Sequence, residues 1–149
     1  MDIADFIVPE RIVLDLKVKD KPPLLRDLAA RAEAAGAGTP APRILAALIE
    51  REALGSTGLG NGFALPHARL PGLTRCFGLL ARLARPIDYA AIDGRPVDVV
   101  VLLLTPTDDD TAHLAALSLV ARRLRDDGLL RRLRRAEGAA SAMGMLTEA

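Results

Sequence analysis

Val97-Asp-Val-Val-Val-Leu-Leu-Leu-Thr105 is a run of β-branched and aliphatic residues interrupted only by Asp98. A strand with one wet face alternates apolar and polar residues, whereas a strand covered on both faces reads as a continuous apolar run. The run therefore predicts a central strand between two layers of helices. Beyond it, Pro106 closes the strand and the aspartates at 108–110 place negative charge where a helix N-terminus favours it. Leu114, Leu117, Ala121 and Leu124 then recur at helical spacing, with His113 in the first turn. A further short helix is predicted over 128–136. The tail, 137–149, is expected to be a weak helix prone to fray, because Gly138 and Gly144 stand among its alanines and methionines.

Toward the N-terminus, residues 1–19 read as an extension with a helical turn and a first short strand. Asp20 is a plausible cap for a helix whose first turn holds Pro22 and Pro23 and whose apolar face is Leu24, Leu25, Leu28, Ala29 and Ala32. Thr39-Pro40 announces a second helix, with Ile44, Leu45, Leu48 and Ile49 on one stripe and Gly55 as its stop. Phe63-Ala-Leu65 and residues 77–83 read as strands, the second with Arg82 and Arg85 on a wet face, and Asp93-Gly94 as a turn. Helices thus alternate with strands. The expected fold is α/β, a mixed β-sheet flanked on both faces by helices, in a single compact domain over 1–149.

With 149 residues, half of them hydrophobic, the chain has enough material for one real core. Cys76 is the only cysteine, which excludes an internal disulfide and any cysteine-based metal cluster. No apolar run approaches a bilayer span and the first residues are acidic, so a cytoplasmic protein without a membrane span is expected. Net charge is +1, yet seven arginines crowd into 122–135. Aromatic stacking residues are lacking there. The patch therefore reads as helix solvation and dipole complement, and no nucleic-acid partner is expected.

One stretch carries chemistry: Arg51-Glu-Ala-Leu-Gly-Ser-Thr-Gly-Leu-Gly-Asn-Gly-Phe-Ala-Leu-Pro-His67. Closely spaced glycines let backbone N–H groups converge on an anion. The spacing from Gly55 to Gly60 mimics a P-loop, but Asn61 and Gly62 stand where Lys and Ser/Thr are needed. A dinucleotide fingerprint fails too, since Phe63 replaces its third small residue and the loop runs from helix to strand. No metal-ligand spacing surrounds His67 or His113, and no serine elbow is present. The histidine itself remains: a neutral imidazole is a competent nucleophile toward phosphoryl groups.

The pattern Arg51-Glu-x-x-Gly-Ser-Thr-Gly-Leu-Gly-Asn-Gly-x-Ala-x-Pro-His67 closely resembles the active-site signature of the IIA components of the fructose/mannitol class of the bacterial phosphoenolpyruvate phosphotransferase system. Its glycine wording is most like the nitrogen-regulatory branch. Ala91-Ile-Asp-Gly-Arg-Pro-Val-Asp98 and His113-Leu-x-x-Leu-Ser-Leu-Val-Ala-x-Arg-Leu124 resemble further family segments. The resemblance implies that His67 accepts a phosphoryl group from an HPr-like phosphocarrier, while Arg51 and His113 stabilise the charge that spreads over its oxygens. It implies supporting contacts from Ser56, Thr57, Gly60, Asn61 and Gly62, with Asn61 chiefly shaping the loop. No cofactor and no metal are expected. As outputs it implies regulation of nitrogen metabolism or potassium homeostasis through a sensor kinase or a potassium transport system. Alternatives are onward transfer to a IIB component in fructose or mannitol uptake, or docking mainly in the unphosphorylated form. Ala68 stands where the family commonly has glycine.

Overall fold

A computed structural model describes residues 1–148. Ala149, the last residue of the expected weak tail helix, lies outside the described residues. Two short 3-10 turns, Ile3–Asp5 and Pro9–Arg11, lead into β1 (Ile12–Leu16), α1 (Lys21–Ala34) and α2 (Ala41–Ala53). Five further strands follow as β2 (Gly58–Gly60), β3 (Phe63–Ala64), β4 (His67–Leu70), β5 (Phe77–Ile87) and β6 (Val97–Pro106). The chain continues through α3 (Asp110–Leu124), α4 (Asp127–Arg135) and α5 (Ala139–Leu146). No helix among the described residues is long and apolar enough to cross a membrane.

The strand predicted to be central is central. The sheet runs β1-β5-β6-β3-β2, and β4 also pairs with β6, beside the end of β3. Pairing is parallel for β1–β5, β3–β6 and β4–β6 and antiparallel for β5–β6 and β2–β3, so the sheet is mixed, as expected. Because side chains alternate across a strand, β6 feeds two cores. Val100, Leu102 and Leu104 pack with Leu24, Leu28, Ile44 and Leu48 of α1 and α2. Val99, Val101 and Leu103 pack with Ala116, Val120, Leu129 and Leu133 of α3 and α4. All six are fully buried, and truncating one such leucine to alanine costs about 2–5 kcal/mol.

Several local expectations are corrected. Asp20 occupies the cap position of α1 but makes no side-chain cap bond. α2 starts one residue later than Thr39-Pro40 suggests: Pro40 is the cap residue, Pro42 sits in the first turn, and Thr39 is buried. Gly58–Gly60, read as loop, is a strand that forms a hairpin with β3 across Asn61-Gly62. Both turn residues have positive φ, 57° and 82°, the conformation an Asn-Gly hairpin turn requires. His67 opens a strand of its own after β3. Pro66, with no N–H to donate, separates β3 from β4 while its carbonyl still accepts from Leu103 N–H at 3.0 Å.

Arg82 is not on a wet face. Its guanidinium donates to the carbonyls of Leu133 at 3.0 Å and Ala136 at 2.7 Å, holding the C-terminal end of α4. The apolar stripe of α3 is rotated from the one predicted: Ala116, Val120 and Leu124 are buried and Leu114 is exposed, because the small Ala116 is what lets the helix approach the sheet. At the tail, α5 buries Ala142 and Leu146. Arg123 reaches across to donate to the carbonyls of Met145 at 2.6 Å and Leu146 at 3.1 Å. Arg132 pairs with Glu148, and Arg134 binds Asp98. Much of the arginine patch is therefore spent on bonds within the molecule.

Candidate functional site

β4 borders β6 on one side and, among the described residues, has no strand on the other. At such an edge the two helical layers can meet. Ala68 and Leu70 point into the core under α1 and α2, so His67 and Arg69 project to the opposite side of the strand, where α3 begins. From α2, Arg51 in the last turn reaches over the edge. From α3, His113 in the first turn comes down on the other side. Arg51, His67, Ala68, Arg69 and His113, with Leu54, line one open cleft of about 360 Å³. The structure thus brings together three of the predicted residues from three elements.

The bonding fixes the tautomer of His67. Nδ1 lies 2.8 Å from the Leu65 carbonyl, which can only accept, so Nδ1 carries the hydrogen. Nε2 is left with its lone pair, and Arg51 Nε donates to it at 3.3 Å. Arg51 is itself held, donating from a terminal nitrogen to the Gly55 carbonyl at 3.0 Å. Burial, chiefly, and the Arg51 charge push the His67 pKa below its ordinary value, against the opposing pull of the Leu65 bond and Glu52. The imidazole is accordingly neutral near pH 7, with a lone-pair ring nitrogen beside a fixed cation.

His113 sits with its ring centroid 6.2 Å from that of His67. Its Nδ1 is 2.6 Å from the hydroxyl of Thr105, at the end of β6. Burial first, then Arg69 and His67, lower its pKa, with Asp110 opposing. Arg69 has no motif to announce it; the signal is its place two residues after His67 on one strand. It donates to the Thr107 carbonyl at 3.0 Å and pairs with Asp110, pinning the turn that carries α3 against β4. Its Nε is buried and has no hydrogen-bond partner among the described residues. Cations at Arg51 and Arg69 thus flank the two imidazoles.

The glycine loop divides. Thr57 is buried away from the cleft: its N–H and hydroxyl both donate to the Glu52 carboxylate, the N–H at 3.1 Å, and its hydroxyl oxygen lies 3.0 Å from that of Tyr89. Lys21 closes this network, 2.7 Å from Glu52 and over the Tyr89 ring at 4.2 Å. Burial, chiefly, raises the Tyr89 pKa. Ser56 donates to the Tyr89 carbonyl and accepts from Gly58 N–H. These residues hold the end of α2, and so Arg51, in place. Gly60, Asn61 and Gly62 are elsewhere. The Gly62 carbonyl bonds Asp98 and Val99, five and four residues along β6 from Leu103, the partner of His67, which is roughly 13–16 Å of strand. Asn61 and Gly62 line a different cleft with Arg95, Asp98, Arg131 and Arg134. The expectation that the hairpin tip supports a phosphoryl group beside His67 is therefore corrected by the geometry. Ala68, in place of the usual glycine, is ordinary strand whose Cβ packs in the core.

The chain matches, over residues 5–149, the family described as "Phosphoenolpyruvate-dependent sugar phosphotransferase system, EIIA 2". It is 44% identical over 146 residues to a nitrogen regulatory protein of Bradyrhizobium diazoefficiens, covering 98% of this chain and 95% of that one. The crystal structure of the nitrogen regulatory protein IIA-Ntr from Neisseria meningitidis superposes with a TM-score of 0.92 at 31% identity, covering 97% of this chain and 99% of that one. The IIA mannitol structure from Escherichia coli, at 17% identity, shares the fold with a TM-score of 0.80 over 94% of this chain and 98% of that one.

Proposed function

This chain belongs to the EIIA 2 family of the phosphoenolpyruvate-dependent phosphotransferase system, with nitrogen regulatory proteins among its relatives, and from that premise we propose that His67 is its phosphoryl acceptor. The observation that carries the proposal is the pairing of a lone-pair Nε2 with Arg51 at 3.3 Å, while Nδ1 is engaged by Leu65. The donor is a phosphohistidine on an HPr-like carrier. As the group arrives, the Arg51 Nε–H turns from Nε2 to a phosphoryl oxygen, and the released Nε2 lone pair attacks phosphorus, forming a new N–P bond as the donor's N–P bond breaks. The electron pair returns to the donor ring, which, protonated on its second nitrogen, departs as neutral imidazole. The hydrogen of His67 stays on Nδ1, donated to the Leu65 carbonyl, throughout.

Charge spread over the moving oxygens is met by Arg51 and Arg69 from fixed positions and by a hydrogen bond from His113. Ser56 and Thr57 act indirectly, by anchoring the end of α2. The carrier acts in the cytoplasm, and its phosphorylation state is the signal read by a regulatory target, a sensor kinase or a potassium transport system. Onward transfer to a IIB component is the sugar-uptake alternative.

The deciding experiment supplies phosphoenolpyruvate, the general phosphotransferase enzyme and its carrier, then seeks an acid-labile adduct. The expected result is one adduct, on His67, absent from His67→Ala. An adduct on another residue overturns the proposal. Transfer from the labelled protein to a IIB partner would favour the sugar-uptake reading of the output.

A further inference from the structure

On the α3 side of β6 the residues alternate as Val99, Val101, Leu103 and Thr105, and all four are fully buried. Three are apolar. The fourth ends the row with a hydroxyl whose single hydrogen-bond partner among the described residues is Nδ1 of His113, at 2.6 Å. A threonine hydroxyl has one hydrogen to give, and a neutral imidazole has one N–H and one lone pair, so two arrangements are possible. If Nδ1–H donates to Thr105, the hydroxyl hydrogen is left without an acceptor in a buried site, at a cost of about 1–3 kcal/mol. If the hydroxyl donates to Nδ1, the bond uses its hydrogen and the imidazole hydrogen is moved to Nε2.

We propose that Thr105 is a positioning residue that sets the tautomer of His113, its hydroxyl donating to Nδ1 so that Nε2 presents an N–H to the oxygens of a phosphoryl group arriving at His67. The proposal rests on the reading of His67 as the acceptor. It makes the two histidines opposites: Leu65 holds the hydrogen of His67 on Nδ1 and frees Nε2 as nucleophile, while Thr105 holds the hydrogen of His113 on Nε2 as donor. The surroundings of His113 favour a neutral ring before transfer, which is when tautomer matters: burial chiefly, then Arg69 and His67 nearby, opposed by the more exposed Asp110.

Valine at 105 preserves shape and strand preference and removes only the hydrogen bond. Long-range nitrogen–proton NMR of the unphosphorylated protein reads the tautomer directly. Wild type and Thr105→Ser should hold His113 as Nε2–H, and Thr105→Val should give a tautomer mixture. In single-turnover transfer from a phosphorylated carrier, Thr105→Val should lower the limiting rate by about tenfold with the half-saturating donor concentration unchanged, and Thr105→Ser should recover most of it. In a His113→Ala background, Thr105→Val should have no further effect.

An Nδ1–H tautomer in wild type overturns the proposal, as does an equal slowing by Thr105→Val with and without His113. If wild type accepts no phosphoryl group while the tautomer still follows residue 105, the acceptor reading of His67 and the rate role of Thr105 fail together, and the tautomer assignment stands.

Discussion

At His67 the chemistry depends on which nitrogen is free and how much charge surrounds it. Burial and the nearby guanidinium of Arg51 both disfavour the imidazolium, so the folded pKa lies below the ordinary value of 6.5. A nucleophilic imidazole must be neutral. Phosphoryl acceptance should therefore decline with falling pH only at lower pH than an ordinary imidazole would allow, a profile that rapid-quench transfer rates would reveal. Arg51→Gln should act twice. It removes the cation proposed to meet the phosphoryl oxygens, slowing transfer by about 10²–10³-fold, the typical loss for one fixed electrostatic partner. It also removes a charge that lowers the His67 pKa, so NMR titration should show that pKa rising toward its ordinary value. A slowed variant whose His67 titrates as in wild type would show Arg51 to be a binding contact without influence on the nucleophile.

At the scale of elements, legibility followed how local the signal was. The apolar run of β6 declares burial on both faces by composition alone, and no tertiary fact was needed to read it. The β2–β3 hairpin had an equally local signal in Asn61-Gly62, which is obscured by the surrounding glycines, because a glycine-rich stretch looks like a phosphate loop before it looks like two short strands. Arg82 and α3 were misread for a different reason: which face of an element is wet depends on what lies across from it, here the end of α4 and the flat side of β6. The hairpin yields a test. At Gly62 φ is 82°, and an added Cβ would meet Arg134 and stand 2.9 Å from the Asp98 carboxylate. Gly62→Ala should cost upwards of about 1 kcal/mol by chemical denaturation, since alanine is strained there and the Arg134–Asp98 pair must shift. Its transfer rate per folded molecule should match wild type. A large loss of transfer at intact stability would return the hairpin tip to the site.

Thr57 tests the other half of the loop. Thr57→Val deprives the nearly buried Glu52 carboxylate of a donor and leaves Tyr89 without its hydroxyl partner, so about 1–3 kcal/mol of stability should be lost. Because Glu52 and Arg51 are neighbours at the end of α2, transfer should also slow. An undiminished unfolding free energy would show the network to be dispensable.

For the molecule as a whole, the site exists because an edge strand lets two layers converge. The motif that names Arg51 and His67 is contiguous, but His113 comes from the opposite layer, and Arg69 and Thr105 matter only through the pairing of β4 with β6 that places residue 69 opposite residue 105. Sequence spacing carries no trace of that pairing. The same convergence leaves apolar side chains exposed near the site residues: Leu54, 83% exposed, lines the cleft on the Arg51 side, and Leu114, 65% exposed, is the residue next to His113 on α3. An isolated exposed leucine is unremarkable, but on the proposed reading, in which the site takes a group from another protein's histidine, two of them near Arg51 and His113 offer that protein an apolar contact. Leu54→Asp and Leu114→Asp should each leave stability within about 0.5 kcal/mol, since neither side chain is in the core. Each should raise the donor concentration needed for half-maximal transfer, with little change in the limiting rate once donor is saturating. If instead the limiting rate falls while the donor requirement is unchanged, the leucines shape the cleft itself, and the donor docks elsewhere.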